Sequence, residues 1–228
     1  MAAGRIKWGE AGVKKFGLGV TDGVLYVRNA EGEYKPGVAW DGLTNVTESP
    51  EGAETTKLYA DNTEYGSVTS KETFGATIEA YWSPEEFDQC DGLAASAQGM
   101  ILGQQTRKVF GFCYRTEIQS DISENAGYVI HCVYGCKAQP SEKSHATIND
   151  SPEAETLSWT ITTTPVNVTG FKPVAHVQLS SLKLTEAQMT AVKNALYGTD
   201  ADSQAGTPAT EAYLPTPDQI EAILAAAV

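Results

Sequence analysis

The sequence predicts a mainly β protein, an antiparallel β-sandwich with a flanking α-helix and a short helical C-terminal segment. Three observations lead there. Apolar and polar residues alternate over several segments, the period of a strand buried on one face. The polar faces are rich in Thr, as in antiparallel sheets with one solvated side rather than parallel sheets buried on both. Helical periodicity flanked by caps is confined to a few short stretches.

Taken in order, residues 24–27 and 34–38 flank the turn-rich Asn29-Ala30-Glu31-Gly32-Glu33 and predict a hairpin. Phe74, Ala76, Ile78, Ala80 and Trp82 share one face of a strand, with Thr73, Thr77, Glu79 and Tyr81 on the other. Phe110, Phe112 and Tyr114 define the next strand, and Tyr128, Ile130, Cys132 and Tyr134 another. Leu157, Trp159 and Ile161 alternate most cleanly, between Ser and Thr, and 174–182 is one further strand. Ser83-Pro84-Glu85-Glu86 carries an N-cap, a first-turn Pro and a capping-box Glu, with Gly92 as the stop. Thr185-Glu186-Ala187-Gln188 opens a helix with Met189, Val192 and Leu196 on one face, closed by Gly198. Thr216-Pro217-Asp218 opens the C-terminal helix, with Ile220, Ile223 and Leu224 on one side.

This divides the chain into a sandwich domain, 1–198, and a C-terminal part, 199–228, in which a flexible tether (199–210) precedes the last helix. Two stretches, 41–56 and 138–155, are long and poor in core-forming residues. Loops of more than about 12–15 residues usually bind something or stay mobile. The first is the candidate inter-subunit arm, with Asp41, Glu48, Ser49, Pro50, Glu51 and Glu54 as its contact residues. Glu48-Ser49-Pro50-Glu51-Gly52-Ala53-Glu54-Thr55 is echoed by Asp150-Ser151-Pro152-Glu153-Ala154-Glu155-Thr156, either a weak internal repeat or a coincidence of acidic composition.

The balance of 16 Lys and Arg against 29 Asp and Glu gives a formal charge of −13. Nucleic-acid affinity comes largely from cationic side chains displacing counterions, so the balance argues against a phosphate-gripping function. Arg5, Lys7 and Glu10 interrupt the first residues, where a secretory signal would need an apolar stretch, and no apolar run approaches a membrane span. Four cysteines in 228 residues do not make a disulfide scaffold. Synthesis and folding in a reducing cytoplasm are expected, with no membrane anchor.

The search for chemistry returns no catalytic residue, no metal site and no cofactor. The best metal candidate groups His131, Cys132 and Cys136 with Cys113. Strand neighbours point to opposite faces, so His131 and Cys132 cannot share an ion. Cys132 and Cys136 would stand about 13 Å apart at roughly 3.4 Å per residue, too far for one zinc or a disulfide. The cysteines read as core residues. Gly17-Leu18-Gly19 with Gly23 has the wrong spacing for a phosphate loop and precedes a strand. His131, His145 and His176 are scattered, with nothing in the sequence to bring them together. Arg107-Lys108 reads as a solvated strand end or as half of an inter-subunit salt bridge.

A β-rich acidic chain with long arms and no catalytic constellation points to self-assembly, since open sheet edges pair with a neighbour's strands. Specific strings carry this further. Trp40-Asp41-Gly42-Leu43-Thr44, Leu58-Tyr59-Ala60-Asp61-Asn62, Phe74-Gly75-Ala76-Thr77-Ile78-Glu79-Ala80-Tyr81 and Gly103-Gln104-Gln105-Thr106-Arg107 come in that order. Val133-Tyr134-Gly135, Pro140-Ser141-Glu142 and Thr163-Thr164-Pro165-Val166 follow. In these strings, over roughly residues 40–200, the chain resembles the major tail tube proteins of long, flexible-tailed bacteriophages. The resemblance implies a tail-tube-type sandwich in a virion tail, made in a bacterial host's cytoplasm. It implies hexameric rings stacked into a tube, other tail proteins at the tube ends, and double-stranded DNA passing through without being held. Glu79, on the polar face of its strand, is the candidate lumen-facing acid. The competing expectations are a carbohydrate- or cell-binding β-sandwich module, a tube subunit of a contractile or secretion-type particle, and a hydrolase.

Overall fold

The computed structural model describes residues 7–148, 150, 153–201 and 208–227. The predicted hairpin is formed by Lys15–Arg28 (β1) and Tyr34–Ala39 (β2), and the Asn29 side chain closes its turn by accepting from Glu33 N at 2.8 Å. Leu43–Glu48 (β3), the small hairpin of Thr55–Ala60 (β4) and Thr63–Thr69 (β5), and Gly75–Ala80 (β6) follow. A 3-10 turn, Glu85–Phe87, runs into the short helix Asp88–Asp91 (α1), and Ala94–Ala95 (β7) pairs with Ile101–Leu102 (β8). The long strands Phe110–Ser120 (β9) and Gly127–Ala138 (β10) precede Leu157–Thr163 (β11) and His176–Ser180 (β12). Glu186–Tyr197 (α2) and Pro217–Ala226 (α3) complete the order. Among the described residues every strand pairing is antiparallel, and the mainly β architecture is the expected one.

The main sheet runs β2-β1-β9-β10-β11-β6-β3, and it folds over at β10. Along the edge of β10 opposite β9, Val129 to Val133 pair with β12, whereas Cys136 to Ala138 pair with β11. The switch coincides with a bulge between Val133 and Cys136, where Gly135 takes φ +61°. A Cβ at Gly135 would meet the Thr164 carbonyl oxygen, so only glycine fits. The bulge also exchanges faces. Ile130, Cys132 and Tyr134 point to the helical side as their alternation predicts, while Cys136 and Ala138 turn into the other core.

One core fills the space between the β1-β9-β10 layer and the β11-β6-β3 layer. Trp40 lies at its centre, 4.6 Å from the Phe87 ring and 5.6 Å from both Phe112 and Trp159, between ring centroids. The second core lies under the helices, where Tyr26, Ile130 and Tyr134 meet Met189, Val192, Leu196 and Ile220. Burying each such apolar side chain contributes about 1.5–3 kcal/mol. Thr185 and Thr216 cap α2 and α3, each in a reciprocal capping box, with Gln188 and Gln219 as the third helical residues.

Three expectations need correction. Residues 41–56 are not a structureless arm, because β3 pairs with β6 and lays Leu43 and Val46 against the first core. These are too few apolar residues to register as a strand by composition. The Ser83 capping box does not form: Pro84 precedes a tight 3-10 turn with no side-chain cap, although Gly92 ends the helix at φ +79° as predicted. Trp82 is 74 % exposed, because β6 ends at Ala80 and the chain turns away. Of the 199–210 tether, 202–207 lie outside the described residues, as do Ser151 and Pro152 of the echoed motif. The tether's ends are joined, Thr199 and Thr210 exchanging backbone hydrogen bonds of 3.1 and 3.0 Å. Beyond it the chain docks on the sandwich: Gly37 N donates to Ala212 O (2.8 Å), Leu214 N to Tyr34 O (3.0 Å), and Tyr134 OH to Pro215 O (2.9 Å).

Candidate functional site

The predicted arm residues occupy the root of a projecting hairpin. Asp41 is exposed in the turn before β3. Ser49 N donates to Gly75 O (2.8 Å), Glu51 pairs with Thr73, and Glu54 N reaches Ser70 Oγ at 3.0 Å, so two antiparallel stalks rise from the sheet with Pro50 exposed between them. They carry β4 and β5, whose Leu58, Tyr59, Tyr65 and Val68 are all exposed. The arm is thus longer than the sequence suggested and has strand structure of its own. Glu79 sits on the solvent side of β6, where Asn45 Nδ2 donates to its carboxylate at 3.2 Å.

A second feature is the sheet β1-β9-β10-β12. Its central strands are paired on both sides, but among the described residues β2 covers only Val24 to Arg28 of β1, and β12 pairs only with β10. The phase of each open edge can be read from its ladder. Bonds from Ser181 N to Tyr128 O and from Tyr134 N to Ala175 O turn Val177 and Leu179 toward β10, so His176 and Gln178 direct their backbone N–H and C=O outward, while Ser180 O already accepts from Lys183 N and Leu184 N. The same alternation from the Asp121 N to Lys14 O bond turns Lys15 and Gly17 outward on β1. β1 and β12 run in opposite directions, so a neighbour's β1 laid beside β12 continues the antiparallel order. On the same side of β1 as its open edge, β2 covers the later part of the strand, and the 212–214 segment in turn covers β2.

The third feature was not visible in the sequence. The sandwich brings His131 from β10, His176 from β12 and Glu48 from the end of β3 together. His131 Nδ1 lies 3.1 Å from His176 Nε2 and 3.3 Å from Glu48 Oε1, and His176 Nε2 lies 3.9 Å from that oxygen. Tyr114 OH donates to Glu48 Oε1 at 2.7 Å, and His131 Nε2 shares a hydrogen bond with Thr116 Oγ1 at 3.0 Å. The Tyr114 and His131 rings are parallel at 4.5 Å, and Phe74 lies 4.5 Å from His176. Burial, and then the neighbouring His176, push the His131 pKa down to about 4 against a weaker upward pull from Glu48. Burial lowers His176 too, so both rings are neutral at pH 7. The signal available beforehand was modest: His131 and His176 each lie in predicted strands, but sequence gives no pairing between those strands.

The cysteines are core residues. Cys113 faces Cys132 across β9 and β10 under the helices, while Cys90 and Cys136 lie in the other core. Burial pushes the Cys90 thiol up to about 12 and raises Cys136, and the hydrogen bond with Cys132, followed by burial, raises Cys113, which disfavours the nucleophilic thiolate. Arg107 is committed within the chain, donating from Nη2 to Asp91 O at 2.8 Å, and the Asp91 carboxylate is held by Lys143 at 2.7 Å. An open groove of about 1160 Å³ runs past Tyr81, Trp82, Leu93 and Ile101 to His145, which pairs with Glu155 at 2.9 Å. Comparison with known proteins finds no matching family model and no matching curated sequence.

Proposed function

We propose that this chain is the repeating subunit of a phage tail tube, a structural protein that assembles head-to-tail into stacked rings through which the genome passes. The observation that carries the reading is the sheet β1-β9-β10-β12, with an open edge on each side and strand directions that let copies join without breaking the antiparallel order. Exposed backbone donors and acceptors on both edges are a liability in a monomer and an asset in a closed ring. The arm, with exposed Leu58, Tyr59, Tyr65 and Val68, supports a second contact, between rings. Glu79, on the solvent side of β6, stands as the lumen candidate on the motif resemblance. Six copies per ring, tail location and partners at the tube ends rest on the motif resemblance.

Electron microscopy of the purified chain tests the reading, with six-membered rings or tubes expected. Gln178→Pro and Gly17→Pro each remove one outward N–H while sparing the ladders to β10 and β9. Both variants should keep the wild-type circular dichroism and fail to form rings. A wild-type chain that stays monomeric at high concentration, or proline variants that assemble normally, would sink the proposal. The groove beside Trp82 and Tyr81 favours a second reading, a carbohydrate-binding module. A monomer that binds glycans and loses binding in Trp82→Ala would establish that reading instead.

A further inference from the structure

We propose that Glu48, His131 and His176 form a binding site for one divalent transition-metal ion of the zinc class, and that the ion clamps the root of the arm. Ligands at about 2.0–2.2 Å around a tetrahedral zinc stand about 3.3 Å from one another. The three candidate ligand atoms stand 3.1, 3.3 and 3.9 Å apart, so an ion fits among them with small side-chain rotations. Two imidazoles and one carboxylate with a fourth position left open is a known zinc ligand set.

Protonation is also suitable. Both rings are uncharged at neutral pH, as a metal-ligating imidazole must be. In the metal-free cluster a ring N–H lies between His131 Nδ1 and His176 Nε2. With the His131 proton on Nε2, where Thr116 Oγ1 at 3.0 Å accepts it, the shared N–H is that of His176 Nε2; metal binding replaces the bond and this proton moves to His176 Nδ1. No net proton is released from the rings. Thr116 then plays the orienting role that a hydrogen-bonded neighbour plays for most metal-bound histidines, and Tyr114 does the same for Glu48. The Glu48 side chain is 35 % exposed, which leaves an approach for the ion from solvent.

The location gives the site a purpose. Glu48 is the last residue before the arm's stalks, and Phe74, whose ring lies tilted against His176, is the first residue after the Glu51–Thr73 bridge that ends them. An ion here would tie β3, which starts the arm, to β10 and β12 in the facing layer. This is independent of whether the chain forms tubes, because all three ligands come from one copy.

The test uses tag-free, full-length protein stripped with a chelator, equilibrated with Zn(II) or Co(II), and desalted. One metal per chain by elemental analysis is expected, with the strong visible absorption of tetrahedral Co(II). Glu48→Gln and His176→Gln should each weaken retention at least about 10-fold, as even loss of an orienting neighbour does. His145→Gln, remote from the cluster, should retain metal normally. Metal should slow amide exchange at Ser49, Glu51 and Thr73 while leaving α2 unchanged. Sub-stoichiometric metal in the wild type, or undiminished retention in Glu48→Gln, overturns the proposal. If His176→Gln does not fold, Glu48→Gln decides alone, because that partly exposed side chain ends an edge strand.

Discussion

Replacing Tyr134 with Phe tests whether the C-terminal segment is part of the folded body or a tethered appendage. The Tyr134 hydroxyl donates to Pro215 O at 2.9 Å, and both residues are buried. The substitution keeps the ring and removes only the hydrogen bond. A net hydrogen bond is worth about 1 kcal/mol, and a buried carbonyl left without a donor adds a desolvation cost of about 1–3 kcal/mol. A loss of about 2 kcal/mol is therefore expected, which in a chain of this size lowers Tm by about 4–8 °C. Urea unfolding followed by tryptophan fluorescence should show a lower midpoint with an unchanged slope, since the surface exposed on unfolding is the same. Tyr26→Phe, which removes the 2.6 Å bond to Leu196 O at the end of α2, should cost a similar amount. The two bonds anchor different segments, so the double variant should be additive within about 0.5 kcal/mol. A Tyr134→Phe protein melting within about 1 °C of wild type would falsify the account of a docked C-terminal segment. Rapid proteolysis of the wild-type chain between 208 and 216 would contradict it independently.

Gly135→Ala forces a positive φ on a residue with a Cβ and drives that Cβ into the Thr164 carbonyl, so urea unfolding should register a loss of about 3 kcal/mol or more, and a near-neutral result would contradict the fold-over at β10. In metal-free protein the depressed His131 pKa makes the unfolded state the better proton binder below about pH 6.5. Stability present above that pH should fall as the pH drops toward 4, by about 2 kcal/mol at pH 5, in thermal melts at pH 7.5 and 5.0. His131→Gln should flatten that dependence, and a flat wild-type curve would refute it. Tyr65→Ser combined with Val68→Asp alters side chains that are 80 % and 57 % exposed, so monomer stability should stay within about 0.5 kcal/mol of wild type. In the proposed tube the same pair should leave free rings in place of long stacks, and unchanged tube lengths by microscopy would count against the arm as a ring-to-ring contact.

Local patterning made most of the strands and two helices legible. Leu157, Trp159 and Ile161 announce β11 because one face is solvated and the other packs on Trp40 and Phe87. Thr185 and Thr216 announce their helices because capping is a contact between residues three apart. What was not legible depends on long-range pairing. β3 is an edge strand held by β6, and its few apolar residues look like loop until β6 is beside them. The Glu48, His131 and His176 cluster needs the fold-over at Gly135 to bring β3 within reach of β10, an event set by one glycine and its opposing backbone. Strand alternation correctly separated His131 from Cys132, yet the partner that His131 does have lies on β12, 45 residues away.

The charge balance and the exposed apolar residues act over different distances, and the proposed assembly would use both. A formal charge of −13 makes each copy repel the next, though at physiological salt that repulsion fades over about 8 Å. Apolar contact and strand pairing act only at touching distance. Copies that meet in the wrong register feel repulsion with little to offset it, whereas copies that align β12 with a neighbour's β1 gain a backbone ladder. They also bury Phe16 and Leu18, which are now 49 % and 46 % exposed. Long-range repulsion with short-range attraction therefore selects the aligned encounter over indiscriminate sticking. The same acidic surplus would serve the finished tube. Duplex DNA gains affinity where cations displace its counterions, and a chain with 16 basic residues against 29 acidic ones offers it few such contacts.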